Sequence, residues 1–143
     1  MLEYKEKRNR DFLAAVNALL RDPRTLDKTL REVVETAAAS PAPSYYISYP
    51  YAFRWLNRNS TRELRPGLSR ERWKMWRELR EKTEKEMAVK GCPRDQALAR
   101  VLCDSQASSF FISPQTAWSL YNQLMSGRTS YTYRPHLRRP RRP

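Results

Sequence analysis

APSYYISYPYAFRWLN (42–57) and ASSFFISPQTAWSLYN (107–122) are two versions of one sixteen-residue stretch, set 65 residues apart. Laying one over the other pairs Ala42 with Ala107, Ser44 with Ser109, Tyr45-Tyr46 with Phe110-Phe111, Ile47-Ser48 with Ile112-Ser113, Ala52 with Ala117 and Asn57 with Asn122. Self-similarity at a fixed period is the signature of a repeated supersecondary unit, so the chain reads as a tandem duplication.

Working outward, the second half of each stretch has helical spacing. Ala117, Leu120, Tyr121 and Leu124 recur at i, i+3, i+4 and i+7, and Ala52, Trp55 and Leu56 hold the same phase. Ser48 and Ser113 stand just before, where a hydroxyl can accept from the orphan amides of a first turn, and Pro114 at the first helical position needs no amide partner. Upstream, TLREVVETAAAS (29–40) and DQALARVLCDS (95–105) are short amphipathic helices. A longer helical pattern opens each copy, with Phe12, Val16, Leu19 and Leu20 in the first and Trp73, Trp76, Leu79 and Met87 in the second, best aligned at an offset of 67. Gly67 and Gly127 read as stops. The predicted fold is all-α: two tandem three-helix repeats, residues 1–67 and 68–127, docked together and followed by a disordered Arg/Pro-rich tail, 128–143. The β-forming runs around Tyr45-Tyr46 and Phe110-Phe111 are only four residues long. They read as extended connectors that bury all four rings, with a small pairing between the copies as the alternative.

A unit of ~60 residues standing alone is marginal, which favours docking of the copies. No apolar run approaches a membrane span, and MLEYKEKRNRD at the N-terminus lacks the apolar stretch of a secretory signal, so a cytoplasmic protein with no membrane partner is expected. Cys92, Cys103 and His136 have no metal-ligand spacing; no metal or cofactor is expected, and Cys103 reads as a small, reduced core residue. With Gly67, Gly91 and Gly127 as the only glycines there is no phosphate-cradling loop. No histidine precedes residue 136 to act as a base, so the chain reads as non-enzymatic.

The formal net charge of +13 is the strongest functional clue. Residues 128–143 contain Arg128, Arg134, Arg138, Arg139, Arg141 and Arg142, three prolines and no acid. Such an arm suits a phosphate backbone, because each Arg that neutralises a phosphate releases a counterion, and Tyr131 and Tyr133 can stack on exposed bases. In SRERWKMWRELREKTEKEMAVKG (69–91) the charges are mixed, with Glu78–Lys82 and Glu81–Lys85 as i, i+4 pairs, which reads as a solvated face. In the first copy, Arg54 and Arg58 sit four apart with Asn57 between them; the second copy has the neutral Ser119, Asn122 and Gln123 there. The candidate nucleic-acid contacts are therefore Arg54, Asn57, Arg58 and Arg62, with Arg134, Arg138, Arg139, Arg141 and Arg142 in the tail.

A short helix, a connection, and a second helix carrying Ser48, Ala52, Arg54 and Leu56 resemble the helix-turn-helix group of DNA-binding units. That resemblance implies a second helix presented to the major groove. SPAPSYYIS (40–48) is similar to a signature of small uncharacterised bacterial and phage proteins, which implies a setting but no chemistry. The leading functional reading is a duplex DNA-binding protein using the helix-turn-helix-like face of the first repeat and the arginine arm. The alternatives are a structural or assembly protein of a phage or mobile element, binding a protein partner through the aromatic repeats, and an RNA- or ribosome-associated protein.

Overall fold

The computed structural model describes residues 2–61, 63 and 66–127, and among them the backbone forms helices and no β-strand. Arg62 and the predicted disordered tail, 128–143, lie outside the described residues. In chain order the elements are α1 (Leu2–Arg21), a 3-10 turn (Pro23–Thr25), α2 (Leu30–Ala39), α3 (Tyr49–Arg58), α4 (Arg70–Lys90), α5 (Arg94–Asp104) and α6 (Pro114–Ser126). None of these helices is long and apolar enough to cross a membrane.

Local chemistry sets the helix ends. Thr29, Ser48, Ser69 and Ser113 each accept from the amide three residues on, those of Glu32, Tyr51, Arg72 and Thr116. Each such cap contributes roughly 1 kcal/mol. Gly91 and Gly127 close α4 and α6 in the left-handed conformation, at φ 63° and 75°. Gly67, read from the sequence as a stop at the repeat boundary, lies in the turn that leads into α4. α3 ends earlier, at Asn59, because other groups satisfy its last carbonyls: Asn59 Nδ2 donates to Trp55 O at 2.9 Å, and Arg80 Nη2 of α4 donates to Leu56 O and Asn59 O at 2.7 and 2.6 Å. A guanidinium there also complements the negative end of the helix dipole.

The apolar stripes of all six helices feed one continuous core. α1 contributes Phe12, Val16 and Leu20; α2 contributes Val33, Val34, Ala37 and Ala38; α4 contributes Met75, Trp76 and Leu79; α5 contributes Leu98 and Val101. α2 packs on α1 and α5 on α4, but the third helix of each segment crosses over, so that α6 rests on α2 and α3 on α5. The connectors explain the crossing. Each leaves its helix extended, and at the centre Ala42 and Ala107 exchange backbone hydrogen bonds of 2.9 Å in each direction. Eight residues, extended but for one kink, can carry a chain up to about 25 Å, far enough to deliver the next helix to the opposite half.

Tyr46 and Phe111 then adopt matching left-handed backbone conformations, φ 57° and 56°. A bulky side chain there costs roughly 1 kcal/mol or more. Serine two residues earlier offsets part of this: Tyr46 N donates to Ser44 Oγ at 3.2 Å and Phe111 N to Ser109 Oγ at 2.9 Å. The kink separates the rings of each doublet. Tyr45 and Phe110 are buried, whereas Tyr46 and Phe111 are half-buried, which corrects the expectation that all four sit in the core. The rings pair crosswise, Tyr45 with Phe111 at 6.4 Å and Tyr46 with Phe110 at 6.1 Å, both stacked. Cys103 is exposed rather than a core residue; the inner face of α5 is Ala97, Leu98 and Val101, and two residues past Val101 a helical side chain points the other way.

Candidate nucleic-acid interface

Arg54, Asn57 and Arg58 are all exposed on α3, the helix with the most one-sided distribution of apolar residues in the chain: Ala52 and Leu56 face inward and the cations face out. α3 is presented by α4 and α5. The Trp55 ring stacks on Trp76 of α4 at 4.1 Å with planes 3° apart, and Arg80 holds the C-terminal carbonyls. Asn57 differs from its sequence reading, since its Oδ1 accepts from Arg94 Nη1 of α5 at 2.9 Å. The amide therefore positions a cation in place of offering its acceptor to a base. Arg94 in turn lies close to Arg80, whose guanidinium is pressed below its ordinary value by burial and then by the charge of Arg94. Arg54, Arg58 and Arg94 thus form one cationic face, and Arg94 was not legible in the sequence because its link to α3 is tertiary.

Glu78 also departs from its reading as part of a solvated face. Its Oε2 accepts from Tyr45 Oη at 2.7 Å and from Ser108 N at 3.0 Å, with Lys82 Nζ 3.7 Å away. Lys82 itself donates to Ser105 Oγ at 2.9 Å and sits over the Tyr45 ring, 5.3 Å from its centre. Burial pushes the Glu78 carboxyl up, but the Ser108 and Tyr45 hydrogen bonds and the Lys82 charge outweigh it and hold the group below its usual range. The network is structural, locking the first connector to α4.

At the head of α3 lies a groove of about 460 Å³. Tyr4, Lys5 and Arg8 from α1, Tyr46 and Ser48 from the connector, Tyr51 from α3 and Arg72 from α4 line it. Lys5 falls in the first turn of α1, Arg8 in the second, Tyr51 in the first turn of α3 and Arg72 in the first turn of α4, so three helix N-terminal ends converge here. The aromatic walls are held in place. Tyr46 Oη donates to Asp11 Oδ2 at 2.6 Å while its ring stacks on Phe110, and the Tyr51 ring rests 6.1 Å from that of Trp76. A second, larger depression of about 660 Å³ between α4 and α5 has, among the described residues, four basic and two acidic side chains around it and no aromatic ring. The sequence carried one signal for the groove: cations placed in first turns, where helices favour acids.

Arg62, Arg134, Arg138, Arg139, Arg141 and Arg142 lie outside the described residues. No family model, characterised protein or solved structure matches the chain.

Proposed function

We propose that this chain is a non-enzymatic nucleic-acid-binding protein that engages duplex DNA through the exposed cations of α3, with the arginine-rich segment 128–143 as an electrostatic anchor. The observation that carries this reading is the clustering of Arg54 and Arg58 of α3 with Arg94 of α5, on a helix held to α4 by the Trp55–Trp76 stack. Cations held on a rigid element meet phosphates or base edges at defined positions, while a proline-interrupted arginine segment adds attraction without register. The presentation differs from that of the helix-turn-helix group, because α3 leans on α5 rather than chiefly on the preceding helix.

The test is a titration of duplex DNA against salt, read by fluorescence anisotropy. Each of Arg54→Ala and Arg58→Ala lowers the log–log salt slope by about 0.9 if its side chain meets a phosphate of B-form DNA. It relaxes preference at one base pair by ~1–3 kcal/mol if it reads a base edge. Duplex binding that survives both substitutions but vanishes on removal of residues 128–143 favours the assembly-protein reading instead.

A further inference from the structure

We infer that the groove at the head of α3 holds one unpaired nucleotide of a strand whose duplex portion lies on the α3 face. The inference rests on the duplex-binding reading and adds the kind of DNA bound, a junction between duplex and single strand. Four features of the groove point the same way.

Its size, about 460 Å³, is that of a small-ligand site and accommodates a nucleotide. Its charge selects an anion, since Lys5, Arg8 and Arg72 line it and, among the described residues, no carboxylate does. All three cations belong to the first or second turn of a helix, where they oppose the positive end of the dipole. A phosphate between Lys5 and Arg72 would satisfy cations and dipoles together, which accounts for an otherwise unfavourable placement. Its rings select a base: Tyr4, Tyr46 and Tyr51 offer flat apolar surface, and every base has a face to stack on it. Finally, it is continuous with the α3 face. Tyr51, Arg54 and Arg58 stand at i, i+3 and i+7 on one stripe, and seven residues of helix advance about 10 Å, so a strand leaving Arg58 reaches Tyr51 within two nucleotides or so.

The experiment compares a blunt duplex with the same duplex carrying a short thymidine overhang, using the full chain and fluorescence anisotropy. Wild type is expected to bind the overhang form about tenfold tighter, the order of one stacked base. The triple variant Tyr4→Ala, Lys5→Ala, Arg72→Ala is expected to lose that preference while still binding the blunt duplex, and Tyr51→Phe, which keeps the ring, to retain it. Should the triple variant fail to fold, Tyr4→Ala alone, a change outside the core, reads the stacking contribution. Equal binding of the two DNAs by wild type, or an undiminished preference in the groove variants, overturns the inference and leaves duplex binding standing. Failure to bind either DNA overturns the duplex reading itself. Saturable binding of a phosphotyrosine peptide, blocked by the groove substitutions and accompanied by no overhang preference, reassigns the groove to a protein ligand.

Discussion

Asp11 on α1 and Glu78 on α4 stand 67 residues apart in the chain, and each accepts a hydrogen bond from one of two consecutive tyrosines: Tyr46 Oη reaches Asp11 Oδ2 at 2.6 Å and Tyr45 Oη reaches Glu78 Oε2 at 2.7 Å. The left-handed kink at Tyr46 aims the two rings in different directions, so one dipeptide ties both long helices to the first connector. Hydrogen bonds to charged acceptors are worth more than neutral ones. Tyr45→Phe and Tyr46→Phe are each expected to destabilise the protein by about 1.5–3 kcal/mol in urea unfolding, the Tyr45 change more because its ring is the more buried. A loss under about 0.5 kcal/mol for both would show that the carboxylates are adequately solvated without them.

The same pair governs the response to pH. Burial raises the Tyr45 and Tyr46 hydroxyls well above the ordinary tyrosine value, and the Glu78 and Asp11 carboxylates add to the effect. A group whose folded value is raised contributes stability that is complete below the unfolded value, about 10, and is lost as pH rises above it. Phenolate absorbance should therefore show Tyr45 and Tyr46 ionising only with unfolding. The Tyr45→Phe, Tyr46→Phe double variant should lose that late step.

Glu78 acts at the other end of the scale with the opposite sign. Its folded value is depressed, so its contribution is complete above the ordinary carboxylate value of about 4.3 and fades as pH falls through the folded value. Glu78→Gln should flatten the fall in stability below about pH 4. Because the carboxylate side chain keeps 20% of its exposure, the effect should be modest.

The kinked doublets also separate two neighbouring phenylalanines. Phe110 is buried, stacked on Tyr46 and edge-on to Phe12 at 5.7 Å, while Phe111 is half-buried. Phe110→Ala is expected to cost ~3–5 kcal/mol, the range for emptying a buried aromatic site. Phe111→Ala should cost distinctly less, measured on the same denaturant curves. Equal losses would place both rings in the core.

Exchange of the third helices predicts how the chain divides. α6 covers α2 and α3 covers α5, so a peptide of residues 1–67 leaves α2 uncovered and α3 without its partner. Circular dichroism should find that fragment largely unfolded alone, and helical when mixed with residues 68–143. A cooperative melt for the isolated fragment would show that each half can close on itself.

Asn57 carries a prediction that distinguishes a positioning role from base reading. Because its Oδ1 holds Arg94, Asn57→Ala should lower the salt slope for duplex DNA in the same direction as Arg94→Ala, and the double substitution should add little to either. An amide that read a base would instead change sequence preference with no change in slope.

The sequence by itself determined the elements and most of their ends, because these depend largely on groups a few residues apart. Ser48 and Ser113 before apolar runs cap α3 and α6 as their spacing requires, Gly127 closes α6, and Ala52 and Ala117 mark the inner faces. The all-α class follows from the same short-range signals. Only the tertiary structure decided which helix lies on which, since α3 against α5 and α6 against α2 is a choice among apolar stripes of similar composition, made by extended connectors that meet at Ala42 and Ala107. Tertiary structure likewise drew Glu78 out of its helix's charged face, spent the Asn57 amide on Arg94, and gathered Tyr4, Lys5, Tyr51 and Arg72 into one groove. Hydrophobic burial is non-directional and does not encode its partner in the periodicity of a single helix, so sites assembled across helices emerge only when the core has closed.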